Sequence, residues 1–281
     1  MNIKPVILCG GSGTRLKLST KNNIPKQFID FGGWTLFEKT LLRIKNSIFD
    51  SPIISTNFSY LETVKKYLSA YKIEKYKIIL EPYKRNTAAA IISSALMDEV
   101  AFDQAMIFLP ADHLIEKTHK LNKAIIKNER YLNKNNIFIF GIKPSFPSSQ
   151  YGYLITKKVS KFNMVSKFIE KPKKSFAKRI IKMNAYWNSG IIFARKDSII
   201  NNFGMLQPKI LDLSVDAICK SKTSKNIYFL NKKSYKKIPE KSFDYAILEK
   251  SKFINGINLN IPWSDLGSWK EILNVIVKNK K

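Results

Sequence analysis

Short apolar runs alternate with amphipathic stretches along the first half of the chain. The apolar runs predict buried strands, at Ile3–Leu8, Pro52–Ser55, Tyr76–Leu80, Ala105–Leu109 and Ile137–Ile142. The stretches with helical spacing predict helices, at Trp34–Ile48, Tyr60–Ala70, Asn86–Ala101 and Leu121–Leu132. This alternation is typical of an α/β fold with a largely parallel, doubly wound sheet. Ligands of such sheets bind at the carboxyl ends of the strands, so residues that directly follow a strand are the first functional candidates.

The pattern changes after residue 142. Further strands are predicted at Tyr151–Val159, Val165–Ile169 and Asn188–Ala194, and helices at Ser175–Met183, Gln207–Cys219 and Ser268–Val277, with a loop-rich stretch from Cys219 to Trp263. Neither a long linker nor an internal repeat separates the two halves. We therefore expect one domain, 1–281, in which the part from about 143 to 281 completes the sheet of the part from about 1 to 142 and covers it as a lid.

The composition is that of a globular protein. Hydrophobic residues make up 44% of the 281 positions and charged residues 25%, which excludes intrinsic disorder. No apolar run approaches the roughly 18 residues of a membrane span, and the N-terminal run is too short for a signal peptide. The two cysteines, Cys9 and Cys219, provide neither a disulfide framework nor a zinc cluster. These observations predict a cytoplasmic protein that does not enter a membrane.

The net charge is unusually high, because 49 basic residues face 21 acidic ones and leave a formal charge of +28. Basic patches attract phosphate backbones, so a nucleic-acid-binding protein is one hypothesis. Arginine, the side chain best suited to base edges, is scarce, and the lysines are scattered along the chain. The charge therefore favours solvated lysine-rich faces, and we do not expect nucleic acid as a partner.

A glycine-rich loop follows the first predicted strand, with the sequence Gly10-Gly11-Ser12-Gly13-Thr14-Arg15. It has neither the third glycine of a dinucleotide fingerprint nor the Gly-Lys-Ser/Thr of a Walker A loop. Glycine loops between a strand and a helix let backbone N–H groups approach phosphates closely, and the Arg15 guanidinium can fork onto phosphate oxygens. A second cation, Lys26, follows within Pro-Lys-Gln. The alternative is a tight turn of purely structural importance.

Two aspartates stand at positions where a metal ligand is expected. Asp112 comes just past the strand that ends at Leu109, which is a common Mg²⁺ position, but a loop or capping aspartate is the alternative. Asp265 lies in Trp-Ser-Asp-Leu-Gly-Ser-Trp and is either a second Mg²⁺ ligand or a cap of the following helix. Spacing alone leaves both alternatives open. His113 is expected to support the site rather than to catalyse.

Nine stretches, taken in order, resemble the sugar-1-phosphate nucleotidyltransferase family. They are LCGGSGTRL (8–16), PKQF (25–28), EPYKRNTAAA (81–90), FLPADH (108–113), FGIKPSFPSSQYGYL (140–154), FIEKP (168–172), WNSGIIF (187–193), SFDYAILEK (242–250) and WSDLGSW (263–269). The RNTAAA and WSDLGSW forms are similar to those of the guanylyl branch. The resemblance covers nearly the whole chain and implies a Rossmann-like, GT-A-like α/β/α sandwich with a mostly parallel, mixed central sheet.

The resemblance also implies the substrates, the cofactor and the site residues. The substrates would be GTP and mannose 1-phosphate, and Mg²⁺ would be bound by Asp112 and Asp265. Arg15, Lys26 and Asp112 would act at the reacting phosphates. Nucleotide contacts would come from Gly10, Gly11, Ser12, Gly13, Thr14, Glu81, Arg85, Asn86 and Thr87, and sugar-phosphate contacts from Gly152, Glu170, Lys171 and Asn188. Glu81 is the candidate acceptor for the adjacent N–H donors of guanine, whereas a solvated loop is the alternative for the stretches around Glu81, Glu170 and Asn188.

The resemblance leaves assembly open. Many relatives continue into a β-helical or isomerase domain, and because the sequence stops at Lys281 we expect neither here. A homodimer is one assembly that the family suggests.

Overall fold

The structure is a computed structural model that describes residues 2–11, 24–159, 162–267 and 271–272. The described strands are β1 (Lys4–Leu8), β2 (Ile53–Asn57), β3 (Lys77–Glu81), β4 (Ala105–Pro110), β5 (Leu114–Ile115), β6 (Ile137–Ile142), β7 (Tyr153–Val159), β8 (Phe162–Ile169), β9 (Tyr186–Arg195), β10 (Lys222–Ser224), β11 (Ile227–Phe229), β12 (Ile254–Leu259) and β13 (Trp263–Ser264). The described α-helices are α1 (Leu36–Ile44), α2 (Leu61–Ala70), α3 (Asn86–Ala95), α4 (Thr118–Glu129), α5 (Lys174–Ile181), α6 (Lys196–Leu206), α7 (Pro208–Cys219) and α8 (Lys232–Lys236). Single turns of 3-10 helix lie at Lys26–Phe28 and Phe58–Tyr60, and a π-helical turn lies at Asp244–Leu248.

Eleven of the described strands form one mixed sheet, in the order β10-β11-β3-β2-β1-β4-β9-β6-β12-β8-β7. Strands β8, β9 and β10 run against the other eight, so most strands point the same way. Strand β9 from the second half lies between β4 and β6 from the first half. The fold class predicted from the sequence, an α/β protein with a mostly parallel mixed sheet, is therefore confirmed.

Helices cover both faces of this sheet. Side chains alternate between the faces along β1, so that Ile7 packs with α1, α2, α4 and α5, whereas Val6 packs with α3, α6 and α7. Both side chains are fully buried. The two buried clusters are the two layers of core in an α/β/α sandwich, and they fix the strand ends at which ligands of such sheets bind.

A second, two-stranded sheet connects distant parts of the chain. In it β5 and β13 run antiparallel, with Leu114 opposite Ser264 and Ile115 opposite Trp263. Strand β5 begins two residues after Asp112, and β13 ends one residue before Asp265. Pairing of these short strands therefore brings the two aspartates predicted from the sequence to the same place.

The structure differs from the predicted elements at the end of α3 and in an additional helix, α6. Helix α3 ends at Ala95 rather than at residue 101, because the chain turns there and the Lys196 ammonium donates to the carbonyl oxygens of Met97 and Val100. Helix α6 was not predicted, since its sequence is rich in asparagine and serine and depends on the buried side chains Ile199 and Phe203 for its stability.

The stretch expected to be mostly loop contains β10, β11, α8, the π-helical turn and β12. These elements are short, or paired with distant strands, so they carry little periodicity of their own. Of the helix predicted at Ser268–Val277, only Glu271 and Ile272 are described, and both are helical. Within the described residues, no helix combines the length and the apolar character that a membrane crossing requires.

Candidate active site

A cleft of about 570 Å³ lies at the carboxyl ends of three parallel strands, where the sequence placed its candidates. Gly10 and Gly11 follow β1, Glu81 ends β3, and Asp112 follows β4. All four line the cleft, together with Arg85, Asn86, Thr87 and Asn188 from the predicted set. All six of the predicted nucleotide residues that the structure describes are thus brought together. The predicted residues Ser12, Gly13, Thr14 and Arg15 lie outside the described residues.

The Glu81 carboxylate is held from two sides below the glycine loop. The Ser55 hydroxyl donates to Oε1 at 2.8 Å and the Tyr235 hydroxyl donates to Oε2 at 2.7 Å. Only 7% of Glu81 is exposed, and burial raises the pKa of its carboxyl in spite of both hydrogen bonds. A Cβ on Gly10 would lie 3.0 Å from Oε1, so a side chain there would displace Glu81.

These hydrogen bonds limit the guanine contact that the resemblance implied for Glu81. Each oxygen of the carboxylate already accepts one hydrogen bond, and the side chain lies directly behind Gly10. A base could use only the remaining lone pairs of Glu81, from the cleft side. The contacts seen support Gly10 and connect β3 to β2 and α8.

The Arg85–Thr87 segment forms another part of the cleft wall. The Arg85 guanidinium donates to the carbonyl oxygen of Lys236 and lies 5.9 Å from the ring centre of Tyr83. Asn86 has a φ of +63°, and its Oδ1 accepts from the N–H of Thr87 at 2.9 Å. The Thr87 hydroxyl accepts from the N–H of Phe243 at 2.8 Å and so ties the start of α3 to the π-helical turn.

Lys26 forms the charged centre of the site. Its ammonium group lies 2.7 Å from Oδ2 of Asp112 and also donates to the main-chain carbonyl oxygen of Asp265. Lys26 is only 4% exposed, so the cation is held within the protein beside the cleft. The neighbouring Gln27 amide donates to the carbonyl oxygen of Gly11 at 3.0 Å. One short 3-10 turn thus contacts both the aspartates and the glycine loop.

The Asp265 side chain faces the protein interior and is 4% exposed. Its Oδ1 accepts from the Tyr151 hydroxyl at 3.0 Å and from the N–H of Gly267 at 3.1 Å. Burial, followed by the nearby charge of Asp265, raises the pKa of Tyr151, which therefore remains a hydrogen-bond donor. Asp265 is thus connected to the chain around it as well as to Lys26.

His113 supports this arrangement from behind. Its Nδ1 lies 3.0 Å from the carbonyl oxygen of Ser189, and its ring packs edge-on against Trp263. Burial lowers the pKa of the imidazole, which favours the neutral form. Gly190, with a φ of +72°, leaves room for the ring, since a Cβ there would lie 3.3 Å from it.

The residues present fit a Mg²⁺ ion that is held in part by the substrate. The described residues contain no group of three or more His, Cys, Asp or Glu side chains that could enclose a metal. Mg²⁺ in nucleotide enzymes is bound by one or two carboxylates, with phosphates and water as further ligands. The Asp112 side chain lines the cleft and is 33% exposed, as such a ligand must be. Asp265 is less accessible, because it is buried and one of its oxygens accepts two hydrogen bonds.

The predicted sugar residues lie on the other wall, beside a second cavity of about 780 Å³. Glu170 and Lys171 line this cavity and form an ion pair with 2.7 Å between Oε1 and Nζ. Gly152 lies against them, and a Cβ there would lie only 2.7 Å from Oε2 of Glu170. The carbonyl oxygen of Gly152 accepts from the N–H of Asn188 at 2.8 Å. Asn86, Thr87, Glu240 and Asp244 line both cavities, so the two spaces are neighbours.

Sequence analysis assigned no role to four residues that the geometry brings into the site. Gln27, Tyr151 and Asp244 lie within the matched stretches PKQF, FGIKPSFPSSQYGYL and SFDYAILEK, which is the signal that could have identified them. Tyr235 lies in none of the matched stretches. Its contact with Glu81 depends on a fold that joins residues 154 positions apart in the sequence.

Known proteins are similar to this chain over nearly its whole length. The family model described as Nucleotidyl transferase matches residues 4–281. The alginate biosynthesis protein AlgA of Pseudomonas fluorescens is 32% identical over 95% of this chain and 57% of its own length. A mannose-1-phosphate guanylyltransferase of Klebsiella pneumoniae is 30% identical over 99% of this chain and 60% of its own length. The chain therefore spans less than two thirds of the curated relatives that it matches.

A solved structure has the same fold. It is described as a mannose-1-phosphate geranyltransferase from Thermus thermophilus, and it matches with a TM-score of 0.82 at 22% identity. The match covers 98% of this chain and 79% of the other.

Proposed function

The chain belongs to the nucleotidyl transferase family, and we propose that it transfers the guanylyl group of GTP to mannose 1-phosphate. A phosphate oxygen of the sugar phosphate attacks the α-phosphorus of GTP in line with the leaving group. A new P–O bond forms, the bond from the α-phosphorus to the oxygen that bridges to the β-phosphate breaks, and pyrophosphate leaves with the electron pair. The products are GDP-mannose and pyrophosphate.

This reaction requires positioning and charge stabilisation more than proton transfer. The attacking phosphate oxygen is already ionised at neutral pH, so the site needs no activated serine or cysteine. It must instead bring two polyanions together and stabilise the charge that develops on pyrophosphate. The buried Lys26 cation at the cleft supplies part of that stabilisation. The family resemblance adds the Arg15 guanidinium and the loop from Gly10 to Thr14 as contacts to the GTP phosphates.

Mg²⁺ is the metal that the site residues suit best, with Asp112 as its cleft-facing ligand and Asp265 as the second ligand that the resemblance implies. When bound, the ion would neutralise the phosphates and act as a Lewis acid on the phosphoryl oxygens. Lys26 holds Asp112 and the Asp265 loop in register for this role. Tyr151 and Gly267 keep the Asp265 side chain in place.

The two cavities fit the two halves of the reaction. The cleft beside Glu81, Arg85, Asn86 and Thr87 is assigned to the guanine nucleotide. The space beside Gly152, Glu170 and Asn188 is assigned to mannose, and Lys171 to the sugar phosphate. Asp112 then lines the cleft assigned to the nucleotide, with the Lys26 ammonium beside it. A nucleoside triphosphate substrate favours the cytoplasm as the compartment, and the names of the relatives support polysaccharide synthesis as the use of the product.

The observation that carries this proposal is the Lys26 cation joining Asp112 to the Asp265 loop beside the glycine loop. The test is pyrophosphate release in the presence of Mg²⁺, with GTP, dTTP, UTP and ATP each paired with mannose 1-phosphate and glucose 1-phosphate. We expect release largely confined to GTP with mannose 1-phosphate, and loss of release when EDTA removes the metal. Readdition of Mg²⁺ should restore it.

The other outcomes are equally informative. Release with a different pair would preserve the reaction class but contradict the assigned base and sugar. No release with any pair, from protein whose circular dichroism spectrum shows it to be folded, would contradict the enzymatic proposal and favour a regulator that binds sugar nucleotides.

A further inference from the structure

Asp244 lies at the boundary between the two cavities and has no role in the assignments above. It begins the π-helical turn, a geometry that occurs mostly as single turns and often at functional sites. The turn is firmly held, because Phe243 donates its N–H to Thr87 and the Gln207 amide donates to the carbonyl oxygen of Ala246. Asp244 is therefore presented to both cavities from a fixed backbone.

The Asp244 carboxylate fixes the orientation of the Asn188 amide. Nδ2 of Asn188 donates to Oδ1 of Asp244 at 2.7 Å, while Oδ1 of Asn188 accepts from the N–H of Gly190 at 3.0 Å. An amide flip would set oxygen against the carboxylate and nitrogen against an N–H donor, so both contacts oppose it. The remaining N–H of the Asn188 amide is thus held in one direction on the cleft wall.

Glu170 lies close enough to Asp244 for their charges to interact. Burial, followed by the Glu170 charge, raises the pKa of Asp244 to about 6. Glu170 itself is held by Lys171 at 2.7 Å and packs against Gly152, next to Asn188. The Asn188 amide, a donor, and the Glu170 carboxylate, an acceptor, are therefore kept side by side. The same arrangement places two acidic groups, Glu170 and Asp244, near each other.

We propose that Asp244 is a positioning residue that sets sugar specificity by holding the Asn188 amide beside Glu170. This inference rests on the proposed function, in which the same wall binds the hexose of a sugar phosphate. Hexose epimers differ in the direction of a single hydroxyl group. A site whose donor and acceptor are both fixed rejects a sugar that leaves either unpaired, whereas a site whose amide can rotate adapts to both sugars.

The test is calorimetric binding of mannose 1-phosphate, glucose 1-phosphate and GTP to the full chain. The variants are Asp244→Ala, which removes the acceptor, and Asp244→Asn, which keeps an oxygen near Asn188 but loses the charge. The matched control is Asp212→Asn, an exposed carboxylate on α7. We expect Asp244→Ala to lower the affinity for mannose 1-phosphate about tenfold or more, since a charged hydrogen-bond partner is lost. The preference for mannose over glucose should shrink, and Asp244→Asn should lie between Asp244→Ala and the wild type.

A purely structural role would lower the affinities for sugar phosphate and GTP together. Affinities for mannose 1-phosphate within about twofold of the wild type in Asp244→Ala, or an equal loss for GTP, would overturn the inference. Thermal unfolding of each variant identifies a folding defect, in which case Asp244→Asn alone decides by the same criteria.

Failure of the inference can be distinguished from failure of the proposed function. If the wild type binds mannose 1-phosphate but releases no pyrophosphate with it, the proposed function fails and the binding comparison still decides the role of Asp244. If the wild type binds neither sugar phosphate, the inference fails as well.

Discussion

The two walls of the cleft hold their acidic groups in different ways. The wall assigned to the nucleotide, called the nucleotide wall below, contains Ser55, Glu81 and Tyr235. Here Glu81 ends a parallel strand and receives two hydroxyl donors from neighbouring elements. The wall assigned to the sugar, called the sugar wall below, contains Asn188, Asp244 and Glu170. Here Asp244 lies in a π-helical turn, accepts a hydrogen bond from the Asn188 amide and has Glu170 close by. Burial raises the pKa of both Glu81 and Asp244, but at Asp244 a second carboxylate contributes to the increase.

This difference indicates that one wall contributes more to the stability of the fold and the other more to ligand binding. Hydrogen bonds on the nucleotide wall join β2, β3 and α8, so they contribute to the stability of the fold as well as to the site. Contacts on the sugar wall join side chains that line the two cavities, with Asn188 in the first, Glu170 in the second and Asp244 in both, so we expect them to act mainly on a ligand bound there. Variants on the first wall should therefore change turnover and stability, and variants on the second should change sugar affinity.

The largest expected effect concerns Asp112, which lines the first cleft and pairs with Lys26. We expect Asp112→Asn to lower turnover by about 10²- to 10³-fold, because it removes the charge that pairs with Lys26 and that, under the proposed function, would hold Mg²⁺ at the reacting phosphates. Steady-state pyrophosphate release measures this. Asp103→Asn, an exposed aspartate near the other end of β4, is the control and should keep wild-type turnover. Near-normal turnover in Asp112→Asn would remove this residue from the centre of the reaction.

The next effect concerns the stability of the nucleotide wall. Tyr235→Phe leaves Oε2 of the buried Glu81 without its hydroxyl donor, which should lower the free energy of unfolding by about 1–3 kcal/mol. Urea titration measures the change, with Tyr245→Phe as the control, because Tyr245 is 50% exposed. Equal midpoints for the wild type and Tyr235→Phe would show that the Tyr235 hydrogen bond adds nothing net to the fold.

The third prediction concerns the pH dependence of stability that Asp244 on the sugar wall causes. The pKa of Asp244 is raised from 3.8 to about 6, so the folded protein binds this proton more tightly than the unfolded chain. The stabilisation from Asp244 is therefore present below about pH 4 and is lost as the pH rises through 6. Relative to Asp244→Asn, the wild type should lose about 1–3 kcal/mol of unfolding free energy between pH 4 and pH 7.

Comparison with Asp244→Asn cancels the similar contribution of Glu81. The charged groups that face Asp244 are Glu170 and Lys171, and those around the rest of the second cavity are Glu240, Lys241, Glu249 and Lys250. If the difference in unfolding free energy between the wild type and Asp244→Asn did not change with pH, the raised pKa of Asp244 beside Glu170 would be contradicted.

The smallest effect tests the close packing of the sugar wall. Gly152→Ala places a methyl group 2.7 Å from Oε2 of Glu170 and 3.0 Å from Phe168, so Glu170 must move. We expect KM for mannose 1-phosphate to rise about tenfold, the size of one lost hydrogen bond to a charged group, with little change in KM for GTP. Gly204→Ala in α6 is the matched control, since its methyl group would lie 3.7 Å from the nearest atom. It should raise stability by about 0.5–1 kcal/mol, because alanine favours a helix over glycine.

The sequence predicts the nucleotide wall better than the sugar wall, for a physical reason. Parallel strands have apolar runs that end where ligands bind, so Gly10 and Asp112 can be placed in one site from local patterns, and the family resemblance adds Glu81. The second wall depends on β9, which runs antiparallel between β4 and β6, and no local pattern gives its neighbours. The family resemblance identified Glu170 and Asn188 there, but it gave no partner for Asn188.

Periodicity also fails where an element gains its stability from distant contacts. The π-helical turn that carries Asp244 lies in a stretch expected to be loop, and it is held by Thr87 and Gln207 from other elements. Tyr235 reaches Glu81 from the short helix α8, whose five residues are too few to show a helical pattern. These contacts follow from the tertiary fold and not from spacing.

The small sheet of β5 and β13 determines when, during synthesis of the chain, the contacts around Lys26 can form. A ribosome synthesises Lys26 and Asp112 long before Asp265, and domains begin to fold as they emerge. Until β13 leaves the exit tunnel, β5 lacks its partner, and the Lys26 ammonium lacks the carbonyl oxygen of Asp265. The nascent chain can therefore form β1 to β4 early, yet Lys26 gains its contact with Asp265 only when residues 263–267 have been synthesised.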